Sequence, residues 1–334
     1  MRRRDFLVST AMFATATRHA LAQQSSAKIK RVAMVNPATK PADMRIGGDP
    51  IYAAVFQEMK RLGYVEGRNL IVDRYSAEGR FDRFPEIARD VVATQPDVIM
   101  SLSTRMALAL QSETRTIPVV AWMTDPVAAG VASSLARPGG NVTGVSVDAG
   151  AEMGTKPIQL LLEAVGNLSN VRLLATPATW ENAVTKTMRE AAAKMNISFR
   201  LQPLQIPIDE AEYRRAFDAM QRDHVDGVVI SNEPEQYING RLLGRLAQEY
   251  RVPAFCWYSS SVEAGALMSY SVDLKAEAPR VAAQIVEILN GGKPAEMPFF
   301  QETHWDLVIN LKAAKELGLE IPPGLVARAD RVIE

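Results

Sequence analysis

Cysteine is nearly missing from this sequence: Cys256 is the only one in 334 residues, so no internal disulfide can form, and no Cys/His cluster exists to hold zinc. Histidine is almost as scarce, at positions 19, 224 and 304. Neither charge is in excess, since 38 Lys+Arg stand against 38 Asp+Glu. Beyond residue 4 no Lys/Arg-rich run supplies the basic face that phosphate neutralisation needs, which argues against a nucleic-acid partner. No later run of 18 apolar residues could anchor the chain, so no membrane insertion is expected once the N-terminal leader is removed. The catalytic signatures G-x-S-x-G and H-E-x-x-H are absent as well. Cys256 lies in a buried-strand pattern that suits an inert thiol, and His224 falls between a helix end and a strand start, where it reads as solvated or capping. Glu233 and Glu235 are two apart at a helix start and should diverge, which makes a poor acid/base pair. The expectation is a protein that is not an enzyme, with no catalytic residue, no cofactor and no metal.

What is present begins with a leader. Arg2, Arg3 and Arg4 open the chain, the apolar-to-small stretch Phe6 to Ala16 follows, and Ala20-Leu21-Ala22 offers a small-x-small cleavage pattern before Gln23. Within it, Arg3-Arg4-Asp5-Phe6-Leu7 has the twin-arginine form R-R-x-F-L, the address of a protein exported already folded. No cysteine follows the apolar stretch, so no lipid-anchored product is expected. Removing residues 1–22 takes away four Arg and one Asp and leaves 34 basic and 37 acidic side chains, a net of −3. The expected localisation is the periplasm.

Past the leader, short β-rich runs alternate with amphipathic stretches of about a dozen residues, the sequence form of parallel βαβ units. Strands are predicted at Arg31–Asn36, Leu70–Tyr75, Val98–Leu102 and Pro118–Trp122. Between them Ile51, Val55, Met59 and Leu62 recur at helical spacing, as do Phe84, Ile87, Val91 and Val92. A second series restarts about 140 residues on, with strands at Val171–Ala175, Ser198–Gln205, Gly227–Ser231 and Ala254–Trp257. Its helices fall near Glu181–Met195, Asp209–Arg222 and Glu235–Tyr250; in the middle one Tyr213, Phe217 and Met220 form the apolar stripe and Asp209 is placed to cap. The join, Arg137 to Ser146, is a Pro-Gly-Gly turn running into a β-favouring segment that suits a crossover. Its Gly140-to-Gly144 spacing has neither a following Lys-Ser/Thr nor G-x-G-x-x-G, so it is no phosphate loop. The fold class is α/β: two similar lobes with parallel sheets.

The run from Asp125 to Gly144, DPVAAGVASSLARPGGNVTG, resembles a segment of a family of ABC-transporter substrate-binding proteins whose better-understood members are linked to tryptophan and tyrosine uptake. Gly63 to Asn69, Glu263 to Tyr270, and Val308 to Lys312 running on to Ala327–Asp330 are similar too, so the resemblance spans the chain from near Lys30 to its end. Departures fall at Ala264, Ala266 and Ser271, where the family favours glycine. The resemblance implies a type I periplasmic-binding fold: two Rossmann-like lobes joined by three crossovers, closing on a small molecule. It places residues 23–146 with 259–292 in the N-terminal lobe and 147–258 with 293–334 in the C-terminal lobe. The strand Leu267–Val272 and the helix Leu274–Leu289 thereby join the first lobe, and the strand-like Trp305–Leu311 belongs to a third crossing. The expected partners are a small-molecule ligand, an ABC permease and its ATPase, with the binding protein a monomer. The alternative is an extracytoplasmic sensor that presents its closed form to a sensor kinase or chemoreceptor.

In open parallel sheets ligands sit beyond the carboxyl ends of the strands. That rule selects Asn36, Ser76, Ser103, Thr104, Trp122 and Asp125 from the first lobe, and Thr176, Asn232, Trp257 and Tyr258 from the second, with Tyr270 added from the family-like segment. Ser103 and Thr104 precede the helical run Met106 to Leu110, where free N–H groups suit a carboxylate. Asp125 either accepts from a ligand amine or caps a helix starting at Pro126. Trp122, Trp180 and Trp257 either sandwich a planar ligand or pack between lobes and loops. Together these groups fit an amino acid or other small zwitterion with a planar side chain.

Overall fold

The computed structural model describes residues 29–147 and 150–334; the leader expected at 1–22 lies outside them. Five strands come first: β1 (Lys30–Asn36), β2 (Leu70–Ser76), β3 (Val98–Ser101), β4 (Val119–Met123) and β5 (Val142–Ser146). Next come β6 (Asn170–Ala175), β7 (Ser198–Pro203), β8 (Gly227–Ile230), β9 (Ala254–Cys256) and β10 (Met268–Ser271), and then, past the helix Leu274–Leu289, β11 (Phe300–Gln301), β12 (Asp306–Asn310) and β13 (Arg331–Ile333). They build two sheets, six strands in the order β11-β5-β4-β3-β1-β2 and seven in the order β13-β12-β10-β9-β8-β6-β7. Every pairing is parallel except β10 with β12.

Each sheet is buried on both faces, and the period-2 alternation of the strands shows how. Val32, Met34, Val120 and Trp122 point into one apolar cluster of the first lobe, whereas Ala33, Val35, Val119, Ala121 and Met123 point into the other. The second sheet divides likewise, with Val171, Leu173, Val229 and Phe255 on one side and Leu174, Val228, Ile230 and Cys256 on the other. Helices form the outer layers. Tyr213, Phe217 and Met220 of the helix Glu210–Arg222 are all buried, and the Asp209 carboxylate accepts from the N–H of Glu212 at 3.0 Å, as the sequence predicts. Gly144 in β5 is required by its neighbour: φ is +146° and a Cβ there would lie 1.9 Å from the Ala121 carbonyl oxygen.

The chain passes between the lobes three times: after Ser146, after Ser271, and between Gln301 and Asp306. Two expectations about these passages are corrected. The strand at Met268–Ser271 lies in the second sheet, beside β9 and β12. Only the short helix Ser259–Glu263 separates it from β9, so the right-handed βαβ unit closes locally, burying Leu267 and Met268 in the second lobe. Conversely, Phe300 and Gln301 pair with Val145 and Ser146 in the first sheet, so that sheet extends past residue 292. The helix Leu274–Leu289 packs in the first lobe, with Ala278, Val281, Ala282 and Ile285 fully buried beside Val55 and Met59. The predicted helix Glu235–Tyr250 is two helices, Pro234–Ile238 and Gly240–Glu249, broken at Asn239. Asn239 Nδ2 donates to the Glu235 carbonyl at 2.9 Å, and Gly240 and Gly244 let the second helix sit against Ser260 and Ser261.

Two crossings meet at a carboxyl pair. Burial, and then the hydrogen bond and charge of Glu302, push Glu277 up to about 7, while Arg280, whose Nε lies 3.5 Å away, opposes that rise. Burial works against ionisation of Glu302 too, but hydrogen bonds from Glu277 and from the N–H groups of His304 and Thr303 hold it below the usual range. Because the Glu277 pKa is raised on folding, its stabilising contribution is complete below the ordinary carboxylate range and is lost as pH rises through about 7. Glu277→Gln, neutral at every pH, should therefore raise the melting temperature by a few degrees at pH 8 and leave it nearly unchanged at pH 5. Equal shifts at both pH values in thermal melts would show that folding does not raise the Glu277 pKa.

Candidate functional site

The strand ends of the two lobes meet around the helix Pro234–Ile238. Tyr237 of that helix packs against the first-lobe core, and the Ile238 Cδ1 lies 3.5 Å from where a Gly79 Cβ would be. Pro234 at the first helical position pre-sets φ, and the break at Asn239 leaves this turn free to project from the helix that follows. Tyr237 meets Tyr258 edge-to-face, with ring centroids 5.0 Å apart and planes at 71°. On the first-lobe side Tyr52 is wholly buried, and burial carries the hydroxyls of Tyr52, Tyr237 and Tyr258 well above the ordinary phenol range.

Asn36, at the end of β1, organises the first-lobe wall. Its Nδ2 donates to the Tyr52 hydroxyl at 2.9 Å, and its Oδ1 accepts from the N–H groups of Ala38 and Thr39 at 2.7 Å. Ser76 Oγ accepts from Glu78 N–H at 3.0 Å and shapes the turn after β2. Ser103 caps the helix Thr104–Glu113 through Met106 N–H, and Thr104 Oγ1 accepts from Thr124 N–H at 3.0 Å. Arg105 follows at the same helix start, its guanidinium 6.0 Å from the Phe81 ring centroid.

The second-lobe wall is tied together by one carboxylate. Glu233 accepts from the N–H and hydroxyl of Thr176, from the hydroxyls of Thr179 and Ser231 at 2.7 Å each, and from Gln236 Nε2 at 3.3 Å. Five donors on two oxygens exhaust its acceptor capacity and join the loops after β6 and β8. Glu235, two residues on, is a second acid on this short helix. Burial raises its pKa, a hydrogen bond from its own N–H opposes the rise, the Glu233 charge adds to it, and Arg105 from the opposite lobe pulls it down. Tyr258 donates to the Asn232 carbonyl at 2.8 Å, closing this wall.

Several predicted positions lie elsewhere. Trp122 is 3% exposed inside the first-lobe core, because it continues the inward register of Val120. Trp257 is 6% exposed and continues Phe255 into the second-lobe core, where it meets Phe255 and Trp305 edge-on. Tyr270 is tilted against Trp305 at 5.8 Å and belongs to the same aromatic stack. Trp180 lies on Phe199, with Arg189 over its ring at 4.8 Å. No helix starts at Pro126: Asp125 Oδ1 accepts from Val127 and Ala128 N–H, both at 2.9 Å, and holds the turn Pro126–Gly130. Cys256 is buried and its thiol pushed up to about 12 by burial. Tyr52, Arg105 and Tyr237 were not singled out by the sequence reading. The Pro-Glu-Gln-Tyr-Ile-Asn-Gly run at 234–240 carried the available signal, a Pro start and an Asn-Gly stop within seven residues.

Two lobes of mostly parallel sheet, linked by three passages and facing each other across their strand ends, make up the type I periplasmic-binding fold. A family profile described as ABC transporter substrate binding protein matches residues 46–333, and the chain belongs to that family. Among solved structures, a conserved domain protein from Vibrio cholerae is similar at a TM-score of 0.77 and 29% identity, over 91% of this chain and 100% of that one. An ABC domain from Streptococcus pneumoniae in complex with L-Trp has a TM-score of 0.76 and 24% identity over 91% of this chain and 99% of that one. A tyrosine-binding protein of Clostridioides difficile is 24% identical over 269 residues, 77% of this chain and 73% of that protein.

Glu233→Ala would leave three hydroxyls without their acceptor and should cost about 2 kcal/mol in urea denaturation, against about 1 kcal/mol for Thr176→Val. Asp125→Ala, which removes a turn cap, should cost about 1 kcal/mol. A Glu233→Ala variant as stable as wild type would mean that the two loops are held by other contacts.

Proposed function

We propose that this protein captures an α-amino acid with an aromatic or other planar side chain between its lobes and delivers it to an ABC permease and its ATPase. The observation that carries the reading is the convergence of Tyr52, Tyr237 and Tyr258 where the lobes meet, flanked by Arg105 on one side and Glu235 on the other. Aromatic faces and edges suit a planar ring. A guanidinium at a helix N-terminus suits a carboxylate, and a partly buried carboxylate facing it suits an ammonium. Asn36, Ser76, Ser103, Thr104, Thr176, Asn232 and Tyr258 supply the polar rim at the strand ends. Asp125 takes the part of loop support, and Trp122, Trp257 and Tyr270 underlie the walls. The tryptophan complex of the pneumococcal relative and the tyrosine-binding relative support the same ligand class.

Work as a monomer in the periplasm, after export through the twin-arginine-type leader, completes the proposal. Calorimetry on the mature protein should give micromolar affinity, about −8 kcal/mol, for at least one of L-tyrosine, L-tryptophan and L-phenylalanine, and none for hexoses. Tyr237→Ala should weaken that binding at least tenfold, about 1.4 kcal/mol, with an unchanged far-UV spectrum. Hexose binding with no response to any amino acid would overturn the assignment. For export, Arg3→Lys combined with Arg4→Lys should leave precursor in the cytoplasm, since lysine keeps the charge but loses the guanidinium fork; unchanged periplasmic yield would rule out the twin-arginine route.

A further inference from the structure

At the end of the third passage, one imidazole and two carboxylates point at one another. His304 Nε2 lies 2.9 Å from Asp306 Oδ1 and 4.0 Å from Asp330 Oδ1, and the three potential ligand atoms are all within 4.8 Å of each other. Zinc takes nitrogen and carboxylate oxygen at about 2.0–2.2 Å, which sets neighbouring ligand atoms about 3 Å apart. The His304–Asp306 pair already has that spacing, and the Asp330 Oδ1, 4.0 Å from the same nitrogen, lies about 1 Å beyond it.

A simple ion pair explains less. An exposed His–Asp pair needs one carboxylate, and here a second converges on the same nitrogen, although its orientation is fixed from behind: Asp330 Oδ2 accepts from Leu307 N–H at 2.7 Å, and Asp330 N–H donates to the Leu307 carbonyl at 2.9 Å. That bond leaves Oδ1 as the oxygen turned toward the imidazole. The segment carrying the other two ligands is equally fixed. His304 N–H donates to Glu302 at 2.5 Å, Asp306 opens β12 beside β13, and Trp305 between them is clamped by Tyr270 and Trp257. The imidazole remains 74% exposed, so water can fill the open coordination positions. The set contains no cysteine and its two carboxylates lie 24 residues apart at Asp306 and Asp330, so no local spacing marks it in the sequence.

We propose that His304, Asp306 and Asp330 form a binding site for a divalent transition-metal ion of the zinc, nickel and copper class. Imidazole with carboxylate and open water positions suits these ions. A bound ion would fasten the end of the third passage to the edge of the second sheet.

The test uses tag-free mature protein stripped of metal by a chelator. Zinc titrated by calorimetry should bind with one-to-one stoichiometry, and copper should quench tryptophan fluorescence through the adjacent Trp305. His304→Ala and Asp330→Asn should each weaken zinc binding at least tenfold, whereas His224→Ala, at a remote histidine, should leave it unchanged. Circular dichroism separates loss of the site from loss of the fold, and Asp330→Asn retains an acceptor for Leu307 N–H. Absence of zinc binding at sub-millimolar concentration, or equal binding by wild type and His304→Ala, would overturn the proposal. Because neither readout involves the interlobe ligand, this result stands or falls independently of the amino-acid reading.

Discussion

Burial of both sheets on both faces is the constraint from which the site follows. Once Val32 and Met34 point one way and Ala33 and Val35 the other into closed apolar clusters, a strand has no side left for a ligand. Only its carboxyl end is open, and there the chain must turn. Polar residues collect at those turns because the peptide groups of the loops need partners, and Asn36, Ser76, Asp125 and Glu233 supply them. The proposed cleft thus lies where groups that finish the fold already stand.

This double duty explains which parts of the molecule were legible in the sequence. Alternating runs of β-branched and amphipathic residues located the strands of both lobes, because their periodicity is local. Which sheet a strand joins is not local. Met268–Ser271 looks the same whether it pairs with β9 or crosses over, and the decision lies in the hydrogen bonds of Leu267 with Ala254 and of Asn310 with Leu267. The tryptophans show the limit of the strand-end rule. Trp122 and Trp257 fall near strand ends, yet each keeps the inward register of the residue two before it, and a large apolar ring gains more from the core than from the rim.

The proposed cleft is half legible. The strand-end rule picks out polar residues, and most of their hydrogen bonds run to backbone groups of the loops. Tyr237 and Arg105 were hidden for different reasons. Tyr237 looked like one position in a long helix until Asn239 and Gly240 broke it, and Arg105 matters only because the second lobe brings Glu235 opposite it. Interactions between lobes leave no periodic trace in either lobe's sequence.

The route of the helix Leu274–Leu289 has a consequence for how such a protein can change over generations. By packing it completes the first-lobe core, yet by sequence it follows the second lobe, and β11 follows it back to pair with β5. No single cut of the gene after Ser146 therefore separates two complete lobes. A recombined chain that took a new second half would also bring a foreign helix into the first lobe's interior, where Ala278, Val281 and Ile285 must fit against Val55 and Met59. The lobes are bound to diversify as a pair, so new ligand preferences are more readily reached by point changes at the strand-end loops than by exchange of whole halves.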